Sequence, residues 1–351
     1  MTGSPAAQTN GSGRGMLLRF LVLGGLLLTS QGMAIAQDPL PYTSLKAYIV
    51  DLKASIQQRA GVGSNAFIAP PANQLDGFRL TMQQLLLGDV ASAINGLDAL
   101  NYDLNSLNDD SGKSYLVAQE RSTGFRGLGT YVVDLNYARN VIVEVPHPIF
   151  DKNTEEEGSD IFQGLAARAL FIAGTHRCAN PDTESGCSGT TTACGGSSIP
   201  VRISDAPHFT GNFMYAGHSA ALQLDPQPIS LNLHGNSSEP VDVTLSDGTR
   251  VAGADTDLVQ QLRSTLLARS KSFSVGSCNW PPDRLTERNL CGTMNAQGRL
   301  SNGSPEACRM NAASASGLFL HIEQHRNIRD DPSLLIQALQ DVLPIQPRFS
   351  R

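Results

Sequence analysis

The chain has 351 residues, enough for one large α/β domain with an appendage. Its net charge is −6 with a pI near 5.6, and its 26 Lys and Arg are scattered rather than clustered, which excludes the footprint of a nucleic-acid partner. Six cysteines, an even number, point to an oxidising compartment.

Near the N-terminus, Arg14 and Arg19 flank an apolar run from Leu17 to Leu28, and Ala34-Ile35-Ala36 follows before Gln37. This pattern predicts a secretory signal peptide cut after Ala36, behind an N-terminal extension of Gly, Ser and Thr, with Met16 as an alternative start. The run is shorter than the ~20 residues that span a bilayer, so no stable membrane anchor is expected after cleavage. Secretion, to the periplasm or the medium, is the expected destination.

Residues 42–110 read as a small helical region. Leu45, Tyr48, Ile49, Leu52 and Ile56 have helical spacing. Beyond a Gly/Pro/Asn-rich linker, two amphipathic segments, Phe78 to Leu87 and Val90 to Leu107, flank Gly88-Asp89 as an αα-hairpin. From Ser114 the period changes to two, and Tyr115 to Ala118, Gly129 to Val133 and Val141 to Val145 announce a sheet.

The stretch from Asn140 to Arg177 organises the rest. The β-branched strand at Val141 ends at Pro146, which places His147 at a strand tip. Asp151 follows four residues later, and Asn153 or Thr154 can cap a helix whose first turn holds Glu155, Glu156 and Glu157. A second apolar run, Ala169 to Ala173, delivers Thr175-His176-Arg177. Farther on, Gly211 to Leu222 is helical, and Ile229 to Leu233 is a strand ending at His234. Val241 to Val251 reads as a hairpin around Asp247-Gly248 and Thr256 to Ser270 as a helix. Leu318 to Ile322 is a strand carrying Glu323, and Pro332 to Leu343 is a closing helix.

The cysteines form two clusters of three: Cys178, Cys187 and Cys194, then Cys278, Cys291 and Cys308. None forms a CxxC pair, which disfavours structural zinc. Pairing within each cluster leaves one cysteine from each to join the clusters or to bridge elsewhere, and Cys178 to Pro200 becomes a stapled surface loop.

A hydrolytic zinc site needs two or three imidazole or carboxylate ligands, an open position and a carboxylate base. His147, Asp151 and His234 can supply the ligands, and Glu323 the base. A lone histidine after a strand is more often a hydrogen-bonded turn residue; only the combination points to a site. Asp205 with His208 is an alternative metal pair, and Glu155 to Glu157 read most simply as helix N-terminal charges. No G-x-S-x-G is present, which disfavours a serine hydrolase.

The order of His-x3-Asp, the Thr-His-Arg tip, the Leu-His-Gly strand end, the Asn-x-Gln-Gly-Arg loop and the Ile-Glu strand resembles the zinc carboxypeptidase-like superfamily. Within it, the chain is most similar to N-formylglutamate amidohydrolases and phage poly-γ-glutamate hydrolases, from about Ser114 to Leu343. The resemblance implies an α/β domain over 113–347, a mixed, mostly parallel twisted sheet flanked by helices (phosphorylase/hydrolase-like), and Zn2+ as cofactor. It implies His147 and His234 as ligands and Glu323 as the catalytic glutamate. Arg177 and Arg299 would hold a substrate carboxylate or polarise the scissile carbonyl, with Asn295 and His176 beside them. Carboxypeptidases place a ligand glutamate three residues after the first histidine. Here Phe150 stands there, so the carboxylate ligand is Asp151, with Glu155 or Glu156 as alternatives. The implied activity is hydrolysis of an amide bond in a small acidic or peptide-like substrate. A secreted binding protein with this fold and no catalysis is the rival reading, and metal content separates the two.

Overall fold

The computed structural model describes residues 39–237, 240–272, 274–280 and 290–346. The predicted leader and its cut after Ala36 lie outside the described residues. Three helices come first: α1 (Leu45–Arg59), α2 (Ala72–Leu87) and α3 (Val90–Asp98). Ser44 Oγ accepts from Ala47 N–H to cap α1, and Asp89 does the same for α3 through Ser92 N–H. Between α2 and α3, Gly88 takes φ 84°, the left-handed ending that glycine adopts without a Cβ penalty.

The helix expected to reach Leu107 stops at Asp98. Asn101 turns the chain with φ 68°, and β1 (Tyr102–Asn108) pairs antiparallel along its length with β2 (Ser114–Glu120). Tyr102 and Leu104 are buried on one face while Asp103, between them, meets Arg121. Pairing with β2, which follows across a short turn, satisfies that alternation and overrides the helical spacing of the same leucines. The N-terminal region thus supplies an edge strand of the sheet.

The remaining elements are β3 (Thr130–Val133), β4 (Arg139–Val145), α4 (Thr154–Leu165), β5 (Ala167–Ile172), β6 (Thr190–Thr191), β7 (Ile199–Pro200), α5 (Phe213–Ala221), β8 (Ile229–Gly235), β9 (Val243–Ser246), α6 (Leu258–Arg269), β10 (Val275–Ser277), α7 (Ala296–Ser301), β11 (Phe319–Gln324), α8 (Arg326–Asp330) and α9 (Ser333–Val342). Nine strands form one sheet in the order β1-β2-β3-β5-β4-β8-β11-β9-β10. The central strands β5, β4, β8 and β11 run parallel, as do β9 and β10, and the remaining pairings are antiparallel. The fold class is α/β, a mixed sheet with a parallel centre and helices on both faces.

Strand alternation sorts residues to the two faces. Val141, Val143, Val145, Leu231, Leu233, Leu320 and Ile322 pack with α1, α4, α6 and α9. Ile142, Ala169 and Phe171 pack on the other face with Phe78, Leu97 and Phe213 of α2, α3 and α5. The intervening residues of β4, β8 and β11 on that second face are polar: Glu144, Asn232, His234, His321 and Glu323. A run of polar side chains on one face of three adjacent parallel strands marks the site.

The expected hairpin after Val241 does not form, because β9 lies between β11 and β10 and its chain does not return as a strand. Asn279 takes the place of a partner strand: its Nδ2 donates to Thr249 O and Val251 O, while Asp247 Oδ1 accepts from Thr249 N–H. The disulfides are Cys178–Cys194 and Cys278–Cys291 within the two clusters and Cys187–Cys308 between them. Each closed loop restrains the unfolded chain, by about 3 kcal/mol for a loop of roughly fifteen residues. The three bridges fit an oxidising compartment. Among the described residues no helix is long and apolar enough to cross a membrane.

The first turn of α4 does not simply present its acids to solvent. Glu156 pairs with Lys53, whereas Glu155 and Glu157 are buried. Burial pushes Glu155 up to about 7 and Glu157, which faces Gln324 and Arg329, up to about 8. A carboxyl group with a raised folded-state pKa keeps its proton while the unfolded chain, from about pH 4.5, releases it. Its contribution to stability is therefore fully present at low pH and is lost as pH rises towards 8. Denaturant unfolding at pH 5 and pH 8 is expected to show a fall on the order of a few kcal/mol in the native chain and a clearly smaller one in Glu157→Gln. Equal falls in the two proteins would show that Glu157 is ionised throughout.

Candidate metal centre

The loop after β4 solves the problem set by Phe150. Asp151 N–H donates to His147 O at 3.0 Å, closing a tight turn in which Ile149 takes φ 59°. A β-branched residue in the left-handed region is strained, and such strain is concentrated at functional sites. Glu155 accepts the Ile149 N–H and so holds the turn. The turn brings Asp151 back beneath His147. Neither Glu155 nor Glu156, the alternative carboxylate ligands, lines the cavity described below.

β8 lies beside β4 and brings His234 to the same place. His147 Nδ1 stands 3.1 Å from His234 Nδ1 and 3.1 Å from Asp151 Oδ2, and His234 Nδ1 stands 3.4 Å from Asp151 Oδ2. All three side chains are buried. The other nitrogens point away: His147 Nε2 is 2.8 Å from Asp205 Oδ1, and His234 Nε2 is 2.6 Å from Asn232 Oδ1. With the ring hydrogens on Nε2, beside these nearer oxygen acceptors, the Nδ1 lone pairs face each other and a carboxylate oxygen. Such an arrangement can hold a cation. The ligand atoms of a tetrahedral zinc with bonds near 2.0 Å lie about 3.3 Å apart, and the three observed separations match that spacing.

Electrostatics at the cluster are strongly coupled. Burial and the Arg177 charge push His147 down, but Asp151 and Asp205 outweigh them, and its pKa stands above the ordinary histidine value. Burial, aided by His147 and Arg177, pulls His234 down to about 4 against Asp151. Burial pushes Asp205 up, yet Arg177, His208 and His147 hold its carboxyl well below the usual range. Its Oδ2 accepts from Arg177 Nη2 at 2.7 Å.

Two further groups of possible ligand atoms adjoin the first: His147, Asp205 and His208, and His234, His321 and Glu323, each with its atoms within 4.8 Å of one another. In the first of these Asp205 is already paired with Arg177, which suits it to orient the His147 imidazole better than to act as a ligand. In the second, Glu323 Oε1 lies 3.8 Å from His321 Nε2, and Glu323 stands close enough to His234 to act on a group bound at the cluster.

The cluster forms the floor of a cavity of about 620 Å³, within the ~300–1,000 Å³ usual for small-molecule sites. Arg177, His208, His321 and Glu323 share that cavity, and its walls include Thr190 to Ala193 from the disulfide-stapled loop and Arg250 from the turn held by Asn279. The stapled loop is therefore a cavity wall as well as a surface feature.

Three residues expected to contact substrate are engaged by other groups of the protein. The Arg299 guanidinium donates to Thr293 O, Ala307 O, Cys308 O, Ser188 Oγ and Asn311 Oδ1, which ties the loop before α7 to the Cys308 region, and Arg299 itself does not line the cavity. Asn295 lines the cavity, but its amide caps α7 through Gly298 N–H and donates to Asn232 Oδ1. His176 accepts from Cys178 N–H within its own turn and packs edge-on against Phe150, outside the cavity lining. Arg177 does line the cavity, paired with Asp205 and stacked on Phe150. Sequence reasoning missed His321, Asn232 and Glu144. The available signal was polar residues at every second position, Asn232-x-His234 and His321-x-Glu323, in otherwise apolar strands.

No protein-family model matches the chain, and no curated protein or solved structure matches it either.

Proposed function

We propose that this chain is an exported, zinc-dependent hydrolase of a carbon–nitrogen amide bond, working on a small acidic or peptide-like substrate in the periplasm or outside the cell. The observation that carries this reading is the convergence of His147 Nδ1, His234 Nδ1 and Asp151 Oδ2 beside Glu323 in one cavity. Zinc bound there supplies Lewis acidity, which polarises a carbonyl and makes water acidic enough to ionise near neutral pH. Glu323 takes the proton from the attacking water and returns it to the departing amine. Asp205 keeps His147 oriented, and the cavity walls hold the substrate with its carbonyl over the cluster. Arg177 and Arg250 give the cavity two guanidinium groups for an acidic substrate.

Metal analysis and turnover test this reading together. Purified protein is expected to hold about one zinc per chain, to hydrolyse at least one member of a panel of N-acyl amino acids and short peptides, to lose activity to a chelator and to regain it with zinc. Failure to bind any divalent metal would end the proposal. Stoichiometric zinc with no turnover across the panel would favour the binding-protein reading.

A further inference from the structure

Glu144 and His218 are completely buried, with Glu144 Oε1 and His218 Nδ1 in hydrogen-bond contact at 2.9 Å. Neither touches the cavity, and a buried pair of this kind seldom improves on an apolar one for stability. Its continuation gives it a purpose. Glu144 Oε2 lies 3.0 Å from Asn232 Nδ2, Asn232 Oδ1 lies 2.6 Å from His234 Nε2 and 2.9 Å from Asn295 Nδ2, and His218 Nε2 lies 2.8 Å from Ser301 Oγ. All of these side chains are buried.

We infer that Glu144 is a positioning residue that decides which nitrogen of His234 is free to bind a metal ion. The inference rests on the metal-centre reading above and deepens it. Donor and acceptor capacities, together with the separations, set the relay. Each Glu144 oxygen has one nitrogen neighbour, His218 Nδ1 at Oε1 and the donating Asn232 Nδ2 at Oε2, and carboxylate oxygens accept from both. His218 therefore carries its hydrogen on Nδ1, and Nε2 accepts from Ser301 O–H. Asn232 must present its NH2 to Glu144, which turns its carbonyl oxygen towards His234. That oxygen can only accept and lies 2.6 Å from Nε2, nearer than Asp151 Oδ2 at 3.4 Å from Nδ1, so His234 carries its hydrogen on Nε2, and the Nδ1 lone pair is left facing His147 Nδ1 and Asp151. A charge fixed on β4 thus sets a tautomer on β8 through one intervening amide. A neutral group at Glu144 removes the constraint, because a glutamine can turn either end towards Asn232. Asn232 can then flip, and His234 can place its hydrogen on the ligating nitrogen.

Histidine ring 15N spectra of the metal-free protein and zinc titrations against a competing chelator test this together. In the native protein His234 should show hydrogen on Nε2. Glu144→Gln should show a mixture of tautomers and bind zinc about 10–100-fold more weakly, the scale for groups that orient metal ligands. The double variant Glu144→Gln/Asn232→Asp moves the carboxylate one place along the relay: the amide introduced on β4 can donate to the carboxylate introduced on β8, which again only accepts from His234. It should restore the Nε2–H tautomer and most of the zinc affinity, which a merely structural role for Glu144 would not produce. Hydrogen on Nδ1 of His234 in the native protein overturns the inference, even if the single variant fails to fold. So does a Glu144→Gln variant with native tautomer and affinity, or a swap that rescues neither. A native Nε2–H tautomer that follows the swap in a protein that binds no zinc would sustain the relay and overturn the metal-centre reading alone.

Discussion

Glu323→Gln is expected to keep zinc and substrate binding and to lose at least ~10²-fold in turnover, the scale of general-base contributions. Glutamine has the same shape and cannot accept the proton. Glu323 sits near the C-terminal end of β11, in register with His234 on the neighbouring parallel strand, so the sheet itself holds the two at a fixed separation. Both are buried at the cavity floor. Strand-borne groups are placed rigidly enough for proton transfer. If Glu323 instead only supported its neighbour His321, the glutamine variant would lose some stability and leave the rate constant unchanged. Steady-state kinetics on the amide identified in the panel, at equal zinc content, distinguish these outcomes, and an unchanged rate would remove Glu323 from the chemistry.

His234→Ala should empty the centre. Only His147 Nδ1 and Asp151 Oδ2 would then converge, and two ligands make a poor cage for zinc. The loss should exceed the ~10–100-fold that a missing supporting group costs, leaving dialysed protein with almost no zinc. Alanine also removes the ring that packs 4.5 Å from His321, so unfolding should be measured alongside to separate metal loss from collapse. If a folded His234→Ala protein retained one zinc per chain, the ligand set would be wrong, and the group of His147, Asp205 and His208 would be the next to test.

Local sequence carries most of the elements. Val141 to Val145 is β-branched and buried on both faces, so it can be little other than a central strand. It carries His147 to a strand tip, and the same reasoning puts His234 and Glu323 at the ends of their own strands. The candidate ligands and base were therefore legible from residue type and strand ends. Two segments were misread because strand pairing, and not the local spacing of apolar residues, decides them. Tyr102 to Asn108 is a strand because β2 pairs with it, and Val243 to Ser246 finds its neighbours in β11 and β10 rather than in a hairpin.

Hydrophobic period and strand punctuation are local properties, so the α/β class, the clustering of the cysteines, and the histidines and acids that end strands could be read from the residues alone. The use made of each polar group could not, because it needed the folded neighbours. Arg299 had the right chemistry for substrate and is surrounded by carbonyl oxygens that consume it. Asp205, weighed as a metal ligand, accepts from Arg177 and orients His147. Glu144 reads as one more residue in an apolar strand until β8 and α5 bring Asn232 and His218 to its two oxygens. Hydrogen-bond capacity belongs to a side chain, but its use depends on neighbours that arrive from distant parts of the chain.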